Sequence, residues 1–232
     1  MKKKKDTSYK TKAWILILLL PITITVYILL IIGWKELQRI PVVLEWAESI
    51  QLKSFSQNKL DIPKEYIAIY QEAEAIYGVP WTLLAAHHRM ETIFSTMDPL
   101  LSPVGAEGHM QFMPCTFVGW SHPSCSGLGQ GNIPEEDKVN PAIIAEYGGY
   151  GVDANKDGVA DPYDIEDAIF SAANYLAASG AADGELEKAI FNYNRSDKYV
   201  EDVLYFYHLY ENQLQALQSA AALQTEKKDG LE

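Results

Sequence analysis

The sequence predicts a mainly α-helical domain that follows one N-terminal membrane-spanning helix. Residues 13–34 contain no charged side chain, which is typical of a helix that crosses a bilayer. In several later segments apolar residues recur at helical spacing, and no alternating strand pattern of any length appears. With 48% hydrophobic and 22% charged residues in 232 positions, the chain has the composition of a folded protein with one domain of ordinary size.

The apolar run at 13–34 is long enough to span a membrane, which takes ~20 residues. A cluster of lysines precedes it, and only Lys35 and Arg39 follow closely, so we expect the N-terminus in the cytoplasm and the remainder outside. A cleaved signal peptide is the alternative, but its apolar core is shorter, roughly 7 to 15 residues, and no small-residue cleavage site follows here. We therefore expect an uncleaved signal-anchor in the cell membrane.

The rest of the chain is strongly acidic. The formal net charge is −12 although the N-terminal segment is basic, and such a surface repels phosphate backbones, so we expect no nucleic-acid partner. Protein partners are not indicated. The expected organisation is a cytoplasmic basic segment at 1–12, a transmembrane anchor at 13–34, a juxtamembrane connector at 35–60, a folded domain at 61–217 and a polar tail at 218–232.

Proline and glycine mark the ends of the predicted helices. The first helix has Asp61 as N-cap and Pro63 in its first turn, and it ends at Gly78. Pro80 opens the second, which is largely apolar, is expected to be buried, and carries Glu91 near its C-terminal end. A loop-rich stretch covers 96–151, and three further helices cover 165–178, 185–192 and 199–217.

Glu91 is the first residue that suggests chemistry. A carboxylate at the end of a buried helix experiences desolvation and the negative end of the helix dipole, and both raise its pKa. A raised pKa suits a general acid at neutral pH. On the residues alone, the alternative is a solvated Glu91 or one paired with Arg89 or His88.

The segment after Glu91-Thr92 favours the interpretation of Glu91 as a general acid. It contains the pattern Ser-x-x-Gly-Ala-x-Gly-x-x-Gln-Phe-Met-Pro, formed by Ser102, Gly105, Ala106, Gly108, Gln111, Phe112, Met113 and Pro114. This pattern resembles the lytic transglycosylases of the lysozyme-like superfamily, and their later core helix and Tyr-Asn motif are similar to residues 167–176 and 191–194. The resemblance spans about 62–210 and is nearest to the membrane-bound, family-B-like bacterial members. One departure is Ile93, where relatives often have glycine.

The resemblance implies a lysozyme-like α domain at 61–217 that cleaves the glycan strands of peptidoglycan. Glu91 is expected to be the single acid and base that breaks the β-1,4 bond and forms a 1,6-anhydro ring, a lyase reaction that requires no cofactor. The implied substrate-binding residues are Ser102, Met110, Gln111, Phe112, Tyr193 and Asn194. The alternatives are a hydrolytic muramidase on the same fold and a non-catalytic wall-binding scaffold.

An aspartate-rich loop at 153–164 fits the spacing of an EF-hand. The expected ligands of a structural Ca²⁺ are Asp153, Asn155, Asp157, Val159 through its carbonyl, Asp161 and Asp164. Asp164 stands where a bidentate glutamate is usual. The alternative is a solvated Asx turn without a metal.

Two further sets of residues are interpreted structurally. Cys115 and Cys125 lie ten positions apart in a Pro/Gly-rich stretch, and in an oxidising exterior they are expected to form a disulfide; the alternative is two free thiols. His87 and His88 are adjacent, so their side chains point about 100° apart on a helix and do not match a zinc-protease pair. We expect core or surface histidines.

Overall fold

A computed structural model describes residues 61–229, and it places side chains as far as residue 221. The predicted basic segment, anchor and connector, residues 1–60, lie outside the described residues. Among the described helices, none is both long enough and apolar enough to cross a membrane.

The described residues are mainly helical, as the sequence predicts, and contain no β-strand, only isolated bridges around Glu107. The elements are α1 (Lys64–Tyr77), α2 (Trp81–Thr92), α3 (Pro114–Val118), α4 (Glu135–Lys138), α5 (Pro141–Tyr147), α6 (Ile165–Ala178), a 3-10 turn (Ala181–Asp183), α7 (Leu186–Tyr193) and α8 (Asp197–Asp229).

Helix α2 lies at the centre of the domain, because it contacts α1, α6 and α8. Its residues 82–88 are all buried, in keeping with the apolar sequence. Large core side chains that are fully buried include Tyr70, Val79, Leu83, Leu84, Met110, Ile169, Leu176 and Ile190. Burying such a side chain stabilises the fold by about 1.5–3 kcal/mol. This packing fixes the position of the C-terminal end of α2, where Glu91 lies.

The ends of α1 agree only partly with the expectation. The helix ends at Gly78, whose φ of +70° permits its N–H to donate to the carbonyl of Glu74 at 2.8 Å. At the other end Pro63, not Asp61, is the N-cap, so the predicted capping role of Asp61 is wrong. The Asp61 carboxylate instead forms an ion pair with Arg89 of α2.

The stretch predicted as loop at 96–151 contains three short helices, α3, α4 and α5. Two of them begin with proline at the first position, and Asn140 caps α5 by accepting a hydrogen bond from the N–H of Ala142 at 2.9 Å. Helices this short show no apolar periodicity, which is why the pattern did not reveal them. The structure pairs Cys115 with Cys125, with 5.6 Å between their Cα atoms.

Helix α8 continues to Asp229, well beyond the predicted end near residue 217. The segment after Leu217 is polar and was therefore interpreted as a frayed tail. It is nevertheless rich in Ala, Gln, Leu, Glu and Lys, which are strong helix formers, and Gly230 is the first helix-breaking residue. Intrinsic propensity rather than an apolar face accounts for this extension.

Candidate active site

The carboxyl group of Glu91 accepts a short hydrogen bond at Oε1 from the hydroxyl of Tyr199, in the first turn of α8. The Glu91 side chain is only partly exposed to solvent. Burial raises its pKa to about 7, and the hydrogen bond from Tyr199 opposes this rise. At neutral pH the group is therefore present in both its acid and its base form, as a proton-transfer residue needs.

Tyr193 is a second phenol that the charge of Glu91 affects. Its hydroxyl donates to the backbone carbonyl of Met110 at 2.8 Å. Burial and the nearby charge of Glu91 raise the pKa of Tyr193, and the same two causes act on Tyr199. Both phenols therefore stay protonated, and only Tyr199 donates its proton towards Glu91.

His87 shares a helix face with Glu91, because residues four positions apart on a helix are neighbours. Its Nδ1 lies 3.0 Å from the carbonyl of Leu83, so Nδ1 is the donor, while Nε2 is buried without a hydrogen-bond partner. The ring centre is 5.1 Å from that of Tyr193 and 6.0 Å from that of Tyr199. Burial lowers the pKa of His87 to about 4, so the imidazole is neutral at neutral pH.

The two basic groups nearest in sequence to Glu91 have other partners. Arg89 pairs with Asp61, and its guanidinium lies over the ring of Phe206, 4.4 Å from the centroid. His88 is buried, and burial lowers its pKa to about 3. Neither residue supplies a positive charge to Glu91, so the interpretation of Glu91 as an ion-paired structural residue is not supported.

A tight hairpin at 107–112 contacts the site through Tyr193. The N–H groups of Glu107 and Phe112 donate to each other's carbonyls at 2.8 and 2.9 Å. Gly108 sits against the neighbouring loop so closely that a Cβ atom would lie 1.8 Å from the carbonyl oxygen of Pro162. Only glycine fits there, and the close approach brings the Met110 carbonyl to Tyr193.

Three of the six predicted substrate-binding residues, Met110, Gln111 and Phe112, lie in this hairpin, and their role in binding stays a prediction. Met110 is fully buried and Phe112 is 3% exposed, so neither forms an open wall. The side-chain amide of Gln111 donates to the carbonyl of Gly108 at 2.8 Å. The hairpin contacts the Glu91 cluster through Tyr193, which donates to the Met110 carbonyl and whose ring centre lies 5.7 Å from that of Phe112.

Two other predicted residues lie at turns. The Ser102 hydroxyl oxygen accepts a hydrogen bond from the N–H of Ala106 at 2.8 Å and so closes its own turn. Asn194 is exposed at the end of α7, where its N–H donates to the carbonyl of Ile190. Of the predicted set, Tyr193 is the residue whose pKa is raised by the charge of Glu91.

Sequence reasoning missed Tyr199 and His87 as members of this cluster. Tyr199 was interpreted as the start of a helix, and nothing in its spacing from Glu91 indicates a contact. His87 was set aside because the pair with His88 failed as a zinc motif. The four-residue separation from Glu91 was the one available signal, since it places both side chains on one face of α2.

The aspartate-rich loop is closed by its own backbone. Asp153 accepts hydrogen bonds from the N–H groups of Asp157 and Gly158, at 3.1 and 3.0 Å. Asp164 caps α6 by accepting from the N–H groups of Glu166 and Asp167. Across the part of the chain that the structure describes, no three His, Cys, Asp or Glu side chains converge as metal ligands. The side chains as arranged do not form a Ca²⁺ cage, and Ca²⁺ binding stays a prediction.

No protein-family model matches the chain, and no solved structure matches it. The chain is similar to a curated protein named L-Ala–D-Glu endopeptidase from Bacillus subtilis (strain 168), with 27% identity over 161 residues. The aligned region covers 68% of this chain and 46% of the relative. The chain thus spans less than half the length of the relative it matches.

This relative overturns the expectation of a lytic transglycosylase. An endopeptidase is a hydrolase of peptide bonds, whereas a transglycosylase is a lyase of glycosidic bonds. The family, reaction and enzyme class inferred from the Gln-Phe-Met-Pro pattern are therefore wrong, and the alternative of a hydrolytic muramidase is not supported either. The physical reason lies in the motif itself, because Gly108, Gln111 and Phe112 shape a buried hairpin and do not specify which bond is cut.

Proposed function

We propose that this chain hydrolyses a peptide bond in the peptide part of peptidoglycan, at a junction of the L-Ala–D-Glu type, with Glu91 as the proton-transfer residue. The bond is taken from the name of the B. subtilis relative. Such a junction joins amino acids of opposite chirality, which is characteristic of cell-wall peptides. Because the chain covers only part of that relative, the substrate is a proposal for this chain.

The observation that carries the proposal is the state of Glu91. Its pKa of about 7 lies near the pH at which a general acid and base is most effective, because the ionised form must accept a proton and the neutral form must donate one. Tyr199 holds the carboxyl group from one side through its hydroxyl. Glu91 as a residue is partly exposed, which supports the access of water and substrate that the proposal requires.

In the proposed reaction, the Glu91 carboxylate takes a proton from a water molecule as the water oxygen attacks the carbonyl carbon of the L-Ala residue. The C–N bond then breaks, and the Glu91 carboxyl returns the proton to the departing nitrogen. The products are a new carboxyl group on L-Ala and a new amino group on D-Glu, and the amino group takes up the proton that the carboxyl group releases when it ionises. One carboxyl group that changes its protonation state twice thus carries one proton of the water molecule to the departing nitrogen.

A cysteine nucleophile does not compete with this scheme. The sequence has only two cysteines, and both are joined in the disulfide between Cys115 and Cys125. A disulfide sulfur carries no thiolate, so it does not attack a carbonyl carbon. The two cysteines therefore offer no nucleophile that would replace the water molecule activated by Glu91.

The proposal includes a location outside the cytoplasm. Peptidoglycan lies outside the membrane, and the lysines before the apolar run at 13–34 favour export of everything that follows it. The disulfide is consistent with an oxidising exterior. We propose that the apolar run anchors the chain in the membrane.

The test is digestion of purified peptidoglycan with the full chain in detergent, with chemical labelling of new amino groups and of new saccharide ends. We expect labelled D-Glu amino termini and no new saccharide ends. Glu91→Gln keeps the size and hydrogen-bonding capacity of the side chain but carries no titrating proton, and we expect it to abolish the labelling. Glu146→Gln, a change of an exposed glutamate on α5, is the matched control and should keep full activity.

Two outcomes would overturn the proposal. New saccharide ends without new amino groups would show that the wrong bond had been proposed. Wild-type release of D-Glu amino termini by Glu91→Gln would show that the bond is right but that Glu91 does not move the proton.

A further inference from the structure

A continuous chain of side-chain hydrogen bonds runs past the end of α2. The hydroxyl of Tyr70 lies 2.6 Å from Nδ1 of His88, and Nε2 of His88 lies 2.7 Å from Oγ of Ser95. The same Oγ lies 2.7 Å from Nδ1 of His109, whose Nε2 lies 2.8 Å from the backbone carbonyl of Tyr163. Ser95 is the central member. These hydrogen bonds connect α1, α2, the hairpin and the loop before α6.

The direction of every bond in this chain follows from its last acceptor. The carbonyl of Tyr163 only accepts, so Nε2 of His109 carries the proton. Burial lowers the pKa of His109, so its ring is neutral, and its Nδ1 accepts the proton of the Ser95 hydroxyl. The Ser95 oxygen then accepts from Nε2 of His88, a ring that burial also keeps neutral. The remaining nitrogen, Nδ1 of His88, accepts from Tyr70.

The backbone at Ser95 is strained. Ile93, Phe94 and Ser95 have φ angles of +50°, +57° and +66°, the left-handed region that non-glycine residues seldom adopt. Such a conformation persists only where its surroundings fix it. Here Thr92 contributes as well, because its Oγ1 accepts from the N–H of Ser95 at 3.0 Å and donates to the carbonyl of His109 at 2.8 Å.

We propose that Ser95 is a positioning residue for Glu91: its hydroxyl, by bridging His88 and His109, holds the left-handed turn at the end of α2 and so fixes the Glu91 carboxyl against Tyr199. Glu91 lies one residue before Thr92, so the turn and the carboxyl belong to the same short segment. The part of this inference that concerns reaction rate rests on the proposed function.

The surroundings of Ser95 do not suit a nucleophile. The Ser95 oxygen already accepts from His88, which draws electron density away from it. The neighbouring N–H groups are not free to stabilise an oxyanion, because that of Phe94 donates to the His88 carbonyl and that of Thr96 to the Thr92 carbonyl. Holding Glu91 in place is the role that these bonds allow.

The experiment compares Ser95→Gly with Ser95→Ala in the full chain. Both remove the hydroxyl, but glycine also relieves the positive φ, so a variant that is weakened only by backbone strain would be rescued by glycine. Thr96→Ala is the control. It removes an exposed hydroxyl from the same turn, one that bonds to the Ile93 carbonyl, and it leaves the hydrogen bonds between Tyr70, His88, Ser95 and His109 in place. If Ser95→Ala does not fold, Ser95→Gly still tests the inference.

Three measurements are made on each variant. In the wild type, ¹⁵N NMR should show both His88 and His109 as the tautomer with the proton on Nε2. In both Ser95 variants His88 should lose this pattern, because its Nε2 no longer has an acceptor, whereas His109 should keep it through the Tyr163 carbonyl. The pKa of Glu91, followed by ¹³C NMR, should shift in both. Displacement of a catalytic group costs up to about 100-fold in rate, so kcat should fall about 10- to 100-fold while KM changes less than about threefold.

The outcomes separate this inference from the proposed function. An unchanged His88 tautomer, an unchanged Glu91 pKa, or wild-type kcat in Ser95→Gly would overturn the positioning role. If the wild-type chain cleaves no peptide yet the His88 tautomer and the Glu91 pKa change as expected, the proposed function fails and the positioning of Glu91 stands.

Discussion

The hydroxyl of Tyr199 donates a hydrogen bond to Oε1 of Glu91 across a separation of 108 positions in the sequence. Tyr199 lies in the first turn of α8 and Glu91 in the last turn of α2, and these two helices pack against each other. The bond therefore forms only when the two helices are assembled. The acidity of Glu91 is a property of the tertiary fold and not of the segment around it.

Tyr199→Phe should raise the pKa of Glu91 above its value of about 7. The change keeps the ring but removes the hydrogen bond, and that bond lowers the pKa because it favours the charged carboxylate. The measurement is a ¹³C NMR titration of the Glu91 carboxyl. Tyr205→Phe, at a position on the same helix that is 63% exposed, is the control and should leave the titration unchanged. A pKa that stays the same or falls in Tyr199→Phe would contradict the assigned hydrogen bond.

Glu91→Gln should stabilise the protein above pH 7. The folded pKa of about 7 is higher than the ordinary 4.5, so the stabilising contribution is fully present below pH 4.5 and is lost as the pH rises through about 7. At 1.36 kcal/mol per pKa unit the loss is at most about 3 kcal/mol. Urea unfolding at pH 4.5 and pH 8 measures it.

The neutral glutamine side chain has no such loss, so its free energy of unfolding should fall less between those two pH values than that of the wild type. The exposed variant Glu146→Gln should follow the wild type. Equal pH dependence of the wild type and Glu91→Gln would mean that Glu91 titrates near its ordinary pKa.

His87→Gln should reduce the loss of stability in acid. Burial lowers the folded pKa of His87 to about 4, below its ordinary 6.5, so the stability present above pH 6.5 is lost as the pH falls through about 4. The shift corresponds to about 3 kcal/mol. Urea unfolding at pH 7, 5.5 and 4.5 should give a smaller slope for the variant, and the exposed His208→Gln should keep the wild-type slope. An unchanged slope for His87→Gln would contradict a buried neutral imidazole.

The helix boundaries set by Gly78 and Pro80 could be predicted because each depends on local backbone chemistry. The short helices α3 and α5 could not, since five and seven residues are too few to show an apolar period, although proline at their first positions was a usable signal. Helix α8 continues beyond residue 217 because the residues there have high intrinsic helix propensity. The polar composition of this segment led to the prediction of a frayed tail.

The candidate site was predictable only where its residues are close in sequence. Glu91 followed from its place at the end of a buried helix, which is a local feature. Tyr199 and the Ser95 chain depend on how α8 and the hairpin pack on α2, and no spacing encodes that packing. The motif around Gln111 was recognised but assigned to the wrong reaction, because its residues serve the turn.

The double change Cys115→Ala/Cys125→Ala should lower the free energy of unfolding by about 2–3 kcal/mol, because a disulfide across a separation of ten positions restricts the unfolded chain. Alanine is chosen because Cys115 is fully buried and an added hydroxyl would lack a partner. Urea unfolding measures the change. The wild type treated with a reducing agent should show a similar loss, and an unaltered stability in both cases would mean that the bond contributes nothing.

Ca²⁺ at about 1 mM should raise the midpoint of thermal unfolding if the loop at 153–164 binds the ion, because a ligand that binds only the folded state stabilises it. Asp153 is the sharpest position to change, since both its carboxylate oxygens face loop N–H groups and each keeps a lone pair for a cation. Asp153→Asn should abolish the rise, whereas Asp183→Asn, at an exposed aspartate outside the loop, should retain it. A midpoint that does not respond to Ca²⁺ in the wild type would mean that the backbone hydrogen bonds alone close this loop.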